Sequence, residues 1–229
     1  MEEKLITPKK PVRRIQTNGE EIANTVSHGV LALLGLTALI LLILKDDDSS
    51  SLIGAIIYGT SLFLLGLISS LYHALAKTKA LGVMRRFDHI SIFFLIGGTY
   101  APVLLMVPAL KTPLFGIDGA LASGLVFLII QWSLILIGII FKVFFINRFK
   151  HLHYIIYLLL GWGALLFIKD LYLYSQMAFW LILAGGATYS LGVIFYTKSS
   201  KYRYFHFIWH LFVAGAALLQ FLGIYLYIF

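Results

Sequence analysis

Two histidines four residues apart, His206 and His210, stand at the beginning of the last apolar run of the sequence. On an α-helix this spacing places both imidazoles on one face, one turn apart, as in a bidentate metal clamp. Imidazoles are costly to expose to lipid hydrocarbon, so this face is expected to point into the protein. Two ligands do not complete a metal site, and a third is expected from another helix at the same depth.

The composition is that of a polytopic membrane protein. The 229 residues are 60% hydrophobic and only 12% charged, with a mean hydropathy of +0.92, whereas soluble domains carry about 25% charged residues. The absence of cysteine excludes disulfides and thiolate ligands, so a transition-metal site must use nitrogen and oxygen donors. The net charge of +8 is attributed to cytoplasmic loops that set topology, and no nucleic-acid partner is expected.

Seven apolar runs predict an all-α bundle of seven transmembrane helices, because each run can cross a hydrocarbon core. A capping box at Thr17–Glu20 predicts that the first helix begins ahead of the membrane. Residues 1–19 are expected to form a disordered cytoplasmic tail and residues 20–229 the membrane domain. Pro102 is expected to kink the third helix. The runs lie at 26–44, 52–75, 88–108, 120–146, 153–169, 177–197 and 205–228.

The basic residues predict the orientation of the chain. Of the 18 Lys and Arg residues, 15 lie in the N-terminal tail and in the second, fourth and sixth connections, and only three in the other connections. Because Lys and Arg accumulate on the cytoplasmic side, the N-terminus is expected inside and the C-terminus outside. No signal peptide precedes the first run, so the N-terminus is expected to be retained. The protein is therefore expected to be a multi-pass protein of the plasma (inner) membrane.

This orientation brings a third histidine to the depth of His206 and His210. His73 lies in the last turn of the second run, and Ser69, four residues earlier, shares its helix face. Asp88 begins the third run, which also starts at the inner end. The predicted metal ligands are His73, His206 and His210, with Asp88 and Ser69 as the catalytic candidates.

Other polar residues of this layer have alternative interpretations. His89, His151 and His153 are typical of amphipathic interfacial anchors, and the last two are expected in a loop that contacts lipid head groups. Asn24 and His28 suit interhelical hydrogen bonds. Three alternatives stay open. Glu20 and Glu21 either cap the first helix or belong to the site, and Asp88 either serves the site or neutralises Arg85 or Arg86. The side chains of Gln131, Tyr189 and Gln220 either pack between helices or line a pore.

Three neutral imidazoles match a zinc site with an open fourth position, as catalytic zinc adopts. Such a site makes water nucleophilic near neutral pH. Asp88 could then accept a proton from the water and return it to a leaving group, while Ser69 orients a ligand or donates to an oxyanion. Nickel, cobalt and iron also accept three nitrogens, so zinc is a preference from geometry and availability.

Four separated motifs resemble the hemolysin III branch of the progestin and adiponectin receptor superfamily. The resemblance covers residues 20–229 and implies seven helices, an inside N-terminus and zinc held by His73, His206 and His210, with Asp88 near its water and Ser69 nearby. Relatives in the superfamily are associated with ceramide hydrolysis and lipid homeostasis. No protein hormone ligand is expected, because the hormone receptors' long N-terminal domain and C-terminal tail are missing. The motifs span 20–29, 69–73, 87–102 and 206–210.

These features favour a zinc-dependent hydrolase of an amide or ester bond in a membrane lipid. A sensor of membrane state with structural zinc is the first alternative, since three histidines can also staple two helices together. A pore-forming cytolysin is a further alternative, although seven apolar helices are typical of a resident protein. Ion transport is disfavoured because charges near the bilayer centre are missing. Membrane lipids are the expected partners; the oligomeric state is not predicted.

Overall fold

The computed structural model describes residues 14–45, 48–146 and 148–229, without the Lys150 side chain. Most of the predicted tail, residues 1–13, lies outside these ranges. The described chain is helical, and its one β-bridge, between Pro113 and Ala122, is isolated. The α-helices are α1 (Asn18–Leu44), α2 (Ser49–Ala74), α3 (Leu81–Met106), α4 (Ser123–Phe145), α5 (Lys150–Gly161), α6 (Ile168–Tyr174), α7 (Gln176–Lys198) and α8 (Phe205–Tyr227).

Seven helical segments of the described chain are long and apolar enough to cross a membrane, which confirms the predicted architecture. The predicted capping box is also confirmed: the Thr17 hydroxyl accepts from the Glu20 N–H, and the Glu20 carboxylate accepts from the Thr17 N–H. Pro102 lies inside α3, which continues to Met106. Large aliphatic side chains such as Leu33, Ile137 and Leu159 are exposed, as lipid-facing positions require.

The fifth span differs from the prediction because it is longer and interrupted. It covers His151–Tyr174, and a 3₁₀ helix, Trp162–Phe167, separates α5 from α6. The Tyr100 hydroxyl lies 2.8 Å from the Leu160 carbonyl and 2.7 Å from the Gly161 carbonyl, and accepts the Ala164 N–H at 2.7 Å. Neighbouring helices thus satisfy backbone groups that the interruption frees inside the membrane.

α1 packs closely on α2, and this packing positions the polar residues that lie together at one end of the bundle. A Cβ atom on Gly35 would lie 2.7 Å from the Phe63 nitrogen, and one on Gly66 would meet the backbone of Ala32. Small residues at these crossings let the helix backbones approach each other directly. α3 is the central helix, with 61% of its most apolar stretch buried against 17% for α7. α8 packs on α7 and α1.

We expect Tyr100→Phe to lower the free energy of unfolding by about 1–3 kcal/mol, because buried carbonyl and N–H groups lose their partner. Unfolding of the purified protein in detergent measures this change. Tyr174→Phe is the matched control, since Tyr174 is exposed at the end of α6. Equal stability of both variants would show that the interruption does not depend on the Tyr100 hydroxyl.

Candidate metal centre

The three predicted ligands come together at one end of the bundle. His73 lies in the last turns of α2, and His206 and His210 lie in the first two turns of α8. One nitrogen from each ring lies within 4.8 Å of the other two, and the Nε2 atoms of His73 and His206 are 3.2 Å apart. His73 and His210 are buried, whereas His206 is partly exposed. Three converging imidazole nitrogens in a buried site suit a metal ion such as zinc.

Two side chains of α1 orient these imidazoles. The Glu21 carboxylate lies 2.7 Å from His73 Nδ1, so Nδ1–H donates to it and Nε2 keeps the free lone pair. The Ser27 hydroxyl donates to the Asn24 carbonyl at 3.0 Å and accepts at 3.1 Å from His210 Nδ1. Both rings thus present Nε2 to the centre, in the histidine–acceptor arrangement that usually supports metal ligands.

Glu20 and Glu21 have different roles, which settles the alternative that the sequence left open. Glu20 completes the cap of α1 and accepts two hydrogen bonds from Arg14, at 2.6 and 2.7 Å. This carboxylate also holds the pKa of the Arg14 guanidinium above its usual value. Arg14 reaches the carbonyl of Tyr202 at 3.0 Å. Glu20 therefore ties the start of α1 to the connection between α7 and α8, while Glu21 belongs to the histidine cluster.

The same carboxylate positions the start of α8. Tyr204, the residue before α8, has φ 60°, a left-handed conformation that bulky residues rarely adopt. Its N–H donates to Glu20 Oε1 at 2.8 Å. A strained residue persists where its surroundings determine its conformation. Glu20 thereby fixes the turn that delivers His206 and His210 to the site.

Asn24 and His28 also lie against the cluster. Asn24 Nδ2 donates to Gln16 at 2.7 Å and lies 3.4 Å from His73 Nδ1 across the α1–α2 interface. His28 does not hydrogen-bond within the described chain; its ring stacks on that of His210 with centroids 3.5 Å apart. Because His73 Nδ1–H already donates to Glu21, the Asn24 amide N–H cannot donate to that nitrogen, and the two groups are only in contact. The interhelical hydrogen bonds expected of Asn24 and His28 are therefore not found among the described residues, and His28 packs as a flat ring.

Asp88 and Ser69 face the centre from α3 and α2. The Ser69 hydroxyl is positioned to donate to the Asp88 carboxylate, and His73 lies close enough to act on that carboxylate electrostatically. Both residues line the same cavity as His206 and His210. The ion pairs of the described chain do not include Asp88. The geometry therefore places Asp88 with the histidines rather than in a salt bridge that neutralises a neighbouring arginine.

A cavity of about 170 Å³ extends from this polar end into the bundle, more than ten times the roughly 15 Å³ that one water needs. It reaches from His206 to Gln220 along α8, a rise of about 21 Å for fourteen helical residues. Tyr189 and Gln220 line it, whereas Gln131 bonds the Leu160 carbonyl. Most of the wall is apolar, and includes Leu95, Ile96, Leu165, Ile182 and Val213.

Comparison with known proteins assigns the family. The family described as "Haemolysin-III related" matches residues 16–221. The chain is 39% identical over 223 residues to "Hemolysin-3" of Bacillus cereus, covering 96% of each protein. It is 39% identical to "Hemolysin-3 homolog" of Bacillus subtilis (strain 168), covering 91% of this chain and 94% of that one.

The chain belongs to the haemolysin-III-related family. This confirms the resemblance inferred from the four motifs, and with seven candidate spans it supports a multi-pass protein of the plasma membrane. The chain is also similar to a human protein, "Monocyte to macrophage differentiation factor", with 28% identity over 217 residues, 92% of this chain and 85% of that one.

The structure corrects the interpretation of two histidines in this haemolysin-III-related chain. His153 does not lie in a headgroup-contacting loop; it is 1% exposed in the first turn of α5, and its Nε2 lies 3.1 Å from the Phe145 carbonyl. Phe149, with φ 51°, starts α5 earlier than the apolar run suggests, which turns His153 inward. His89 lines the cavity. His151 also lies in α5 rather than in a loop, but it is exposed, as an anchor would be.

Lys142 is one of the 15 basic residues that the sequence places in the cytoplasmic tail and connections, and its true position differs. Its side chain is 2% exposed inside α4. The spacing of the sequence could have indicated that Lys142 is buried. The buried residues of α4 recur every three or four positions, as the inward face of a helix requires. Lys142 continues that series, which runs Gly124, Leu128, Gln131, Ile135, Gly138 and Lys142.

We expect His206→Ala to abolish stoichiometric metal binding, because only two imidazoles remain. Metal analysis of the purified wild-type and variant proteins measures this. His151→Ala serves as the control, since His151 is exposed and lies outside the cluster. Equal metal in wild type and His206→Ala would refute the centre.

We expect Glu21→Gln to weaken metal affinity by about 10- to 100-fold, because a neutral amide is a weaker acceptor for His73 Nδ1–H than the carboxylate. Competition with a chelator of known affinity measures the change. Thr37→Val, on the exposed face of α1, should leave the affinity as it is. An unchanged affinity in Glu21→Gln would show that Glu21 has only a structural role.

Proposed function

We propose that this protein is a zinc-dependent hydrolase that cleaves an amide or ester bond of a membrane lipid. One observation carries the proposal: the cavity joins the three-histidine cluster, Asp88 and Ser69 at one end to a long apolar wall. One leaflet of the hydrocarbon core is about 15 Å deep, so the apolar wall is long enough for one acyl chain. The distribution of basic residues predicts that the polar end faces the cytoplasm.

His73, His206 and His210 would hold the zinc ion, which when bound acts as a Lewis acid and lowers the pKa of water. Asp88 would accept one proton from the water that attacks the carbonyl carbon. The same carboxyl would return this proton to the departing nitrogen or oxygen as the carbonyl–heteroatom bond breaks. The products are then a fatty acid and an amine or alcohol, and no other reactant is consumed.

The remaining polar groups position the reacting ones. Ser69 would fix the Asp88 carboxylate or donate to the oxyanion that develops on the carbonyl oxygen. Glu21 and Ser27 hold the imidazoles through their Nδ1 atoms. The apolar wall would hold the acyl chain and so fix the carbonyl near Asp88, which makes the attack effectively intramolecular.

A sensor of membrane state is the second candidate, and the helix packing favours it. α8 packs chiefly on α7 and α1, and α2 on α1 and α3. The histidine cluster therefore joins the ends of two helices that are not principal neighbours. A metal ion in that position would lock the ends of α2 and α8 together, whether or not chemistry follows.

Asp88→Asn separates the two candidates. We expect this variant to keep its metal but to lose about 10²- to 10⁴-fold in lipid hydrolysis, the usual contribution of a general acid–base. Product release from ceramide-like and acyl-ester lipids, with and without chelator, measures the activity. Asp118→Asn, on the exposed connection before α4, is the matched control.

If the metal is only structural, the Asp88→Asn variant would keep its metal and would regulate the membrane as the wild-type protein does. If the wild-type protein yields no chelator-sensitive product across a broad lipid panel, the hydrolase is refuted and the sensor stands.

A further inference from the structure

Lys142 carries a charge inside the bundle that the metal centre does not use. It lies in the last turn of α4 and its side chain is 2% exposed. Lysines near helix ends usually extend their ammonium groups to the aqueous interface. Lys142 instead lies on the inward face of α4, on the C-terminal side of Ile135 and Gly138. An ionisable residue held inside a membrane bundle is costly and commonly marks a ligand or ion site.

The protein neutralises this ammonium group only in part. Neither the ion pairs nor the side-chain hydrogen bonds of the described chain include Lys142. Its nearest aromatic partner is Tyr157, whose ring centroid lies 5.5 Å from Nζ. A cation–π contact of that length compensates only part of the lost hydration. The site therefore calls for an anion from outside the chain.

The surroundings of Lys142 are also mainly basic. Arg85 and Asp88 act on it electrostatically, and Lys142, Arg85 and His153 act on His89. Asp88 is the one acidic group among these neighbours, and it faces Ser69 and His73. Arg85 and Lys142, which together with His89 are here called the Lys142 cluster, are thus two cations beside one carboxylate, that of Asp88.

The Lys142 cluster adjoins the polar end of the cavity. Asp88, His89 and Tyr157 all line that end, and the Tyr157 hydroxyl donates to the His89 carbonyl at 2.9 Å. His89 Nδ1 is buried and does not hydrogen-bond within the described residues. A ligand that fills the apolar length would bring its head group to this wall. There, buried cations favour an anionic head group over a neutral or zwitterionic one.

We propose that the cavity binds a lipid whose head group carries an anionic phosphate, and that the Lys142 cluster recognises this phosphate beside the metal centre. The cluster lies near the start of α3 and the end of α4, and the ends of membrane-spanning helices are expected near the lipid phosphates. Basic pockets between transmembrane helices bind anionic head groups in this way. The proposal rests on the proposed function only in placing a lipid in the cavity; binding does not require turnover.

Binding is measured on the purified full-length protein in neutral detergent. Palmitoyl lysophosphatidylglycerol and monopalmitoylglycerol share one acyl chain, and only the first carries a phosphate. Trp162 and Trp209 line the cavity, so tryptophan fluorescence reports entry of either lipid. Chelator treatment removes metal, so that a metal ion cannot itself bind the phosphate. We expect the wild-type protein to prefer the anionic lipid under these conditions.

Lys142→Met tests the cluster, because methionine has a similar length and an apolar replacement of a buried charge is usually tolerated. We expect affinity for the anionic lipid to fall roughly 10- to 100-fold, the loss of one buried charge-assisted hydrogen bond. Affinity for monopalmitoylglycerol, which has no phosphate, should stay the same. Lys169→Met, at an exposed position of α6, should change neither affinity.

Other outcomes overturn the proposal. The first is a Lys142→Met variant that prefers the anionic lipid as strongly as the wild-type protein does. The second is an equal loss of affinity for both lipids in that variant. A palmitate affinity that depends on Lys142 as strongly would identify a carboxylate ligand instead. Inorganic phosphate that displaces the lipid head group at equal concentration would identify a free-phosphate site. If Lys142→Met does not fold, Arg85→Gln replaces it with the same expected loss.

Failure of this proposal is distinct from failure of the hydrolase. A charge preference without chelator-sensitive product refutes only the hydrolysis, and chelator-sensitive hydrolysis without a charge preference refutes only the phosphate site.

Discussion

The hydrogen bond between the Glu21 carboxylate and His73 Nδ1 exists because the α1 and α2 backbones approach each other without intervening side chains. Gly35 and Gly66 occupy the two crossings where a Cβ would meet the partner backbone. This approach brings a carboxylate from α1 within 2.7 Å of an imidazole on α2. Because His73 Nδ1–H donates to Glu21, the neutral imidazole keeps its lone pair on Nε2. That nitrogen faces His206 on α8. The geometry of the metal centre thus depends on small residues of α1 and α2, of which Gly66 lies about two helical turns from His73.

A second constraint is electrostatic, because most of the buried charge of the described chain is concentrated at one end of the bundle. Glu20 is neutralised by Arg14, and Glu21 is bound to an imidazole. Asp88 faces the histidines and Ser69, whereas Lys142 has no such acceptor within the described residues. A metal cation would balance the carboxylates near the histidines, and an anion would balance the lysine. The two proposals therefore concern neighbouring parts of one charge distribution.

The sequence predicts what depends on local spacing and on averages over whole segments. Seven apolar runs, the Thr17–Glu20 cap and the common depth of His73, His206 and His210 all follow from such patterns. The separate roles of Glu20 and Glu21 depend on how helices meet, because adjacent residues on α1 point to different neighbours. The interruption at Trp162–Phe167 depends on Tyr100, sixty residues away, which satisfies its carbonyls. Lys142 was predictable, since its spacing matches the inward face of α4, but its charge suggested a loop.

The interruption of the fifth span also explains why the cavity has one polar end. A broken helix exposes carbonyl groups, and Gly161, Trp162 and Ala164 at the break line the cavity. Tyr100 and Gln131 bind the carbonyls there, and the Trp162 indole donates to Ser190 at 3.1 Å. With these groups satisfied, the middle of the cavity presents mainly hydrocarbon to a ligand. The lipid of the two proposals would then bind in one direction only, with its chain along α8 and its polar group among the histidines, Asp88 and the Lys142 cluster.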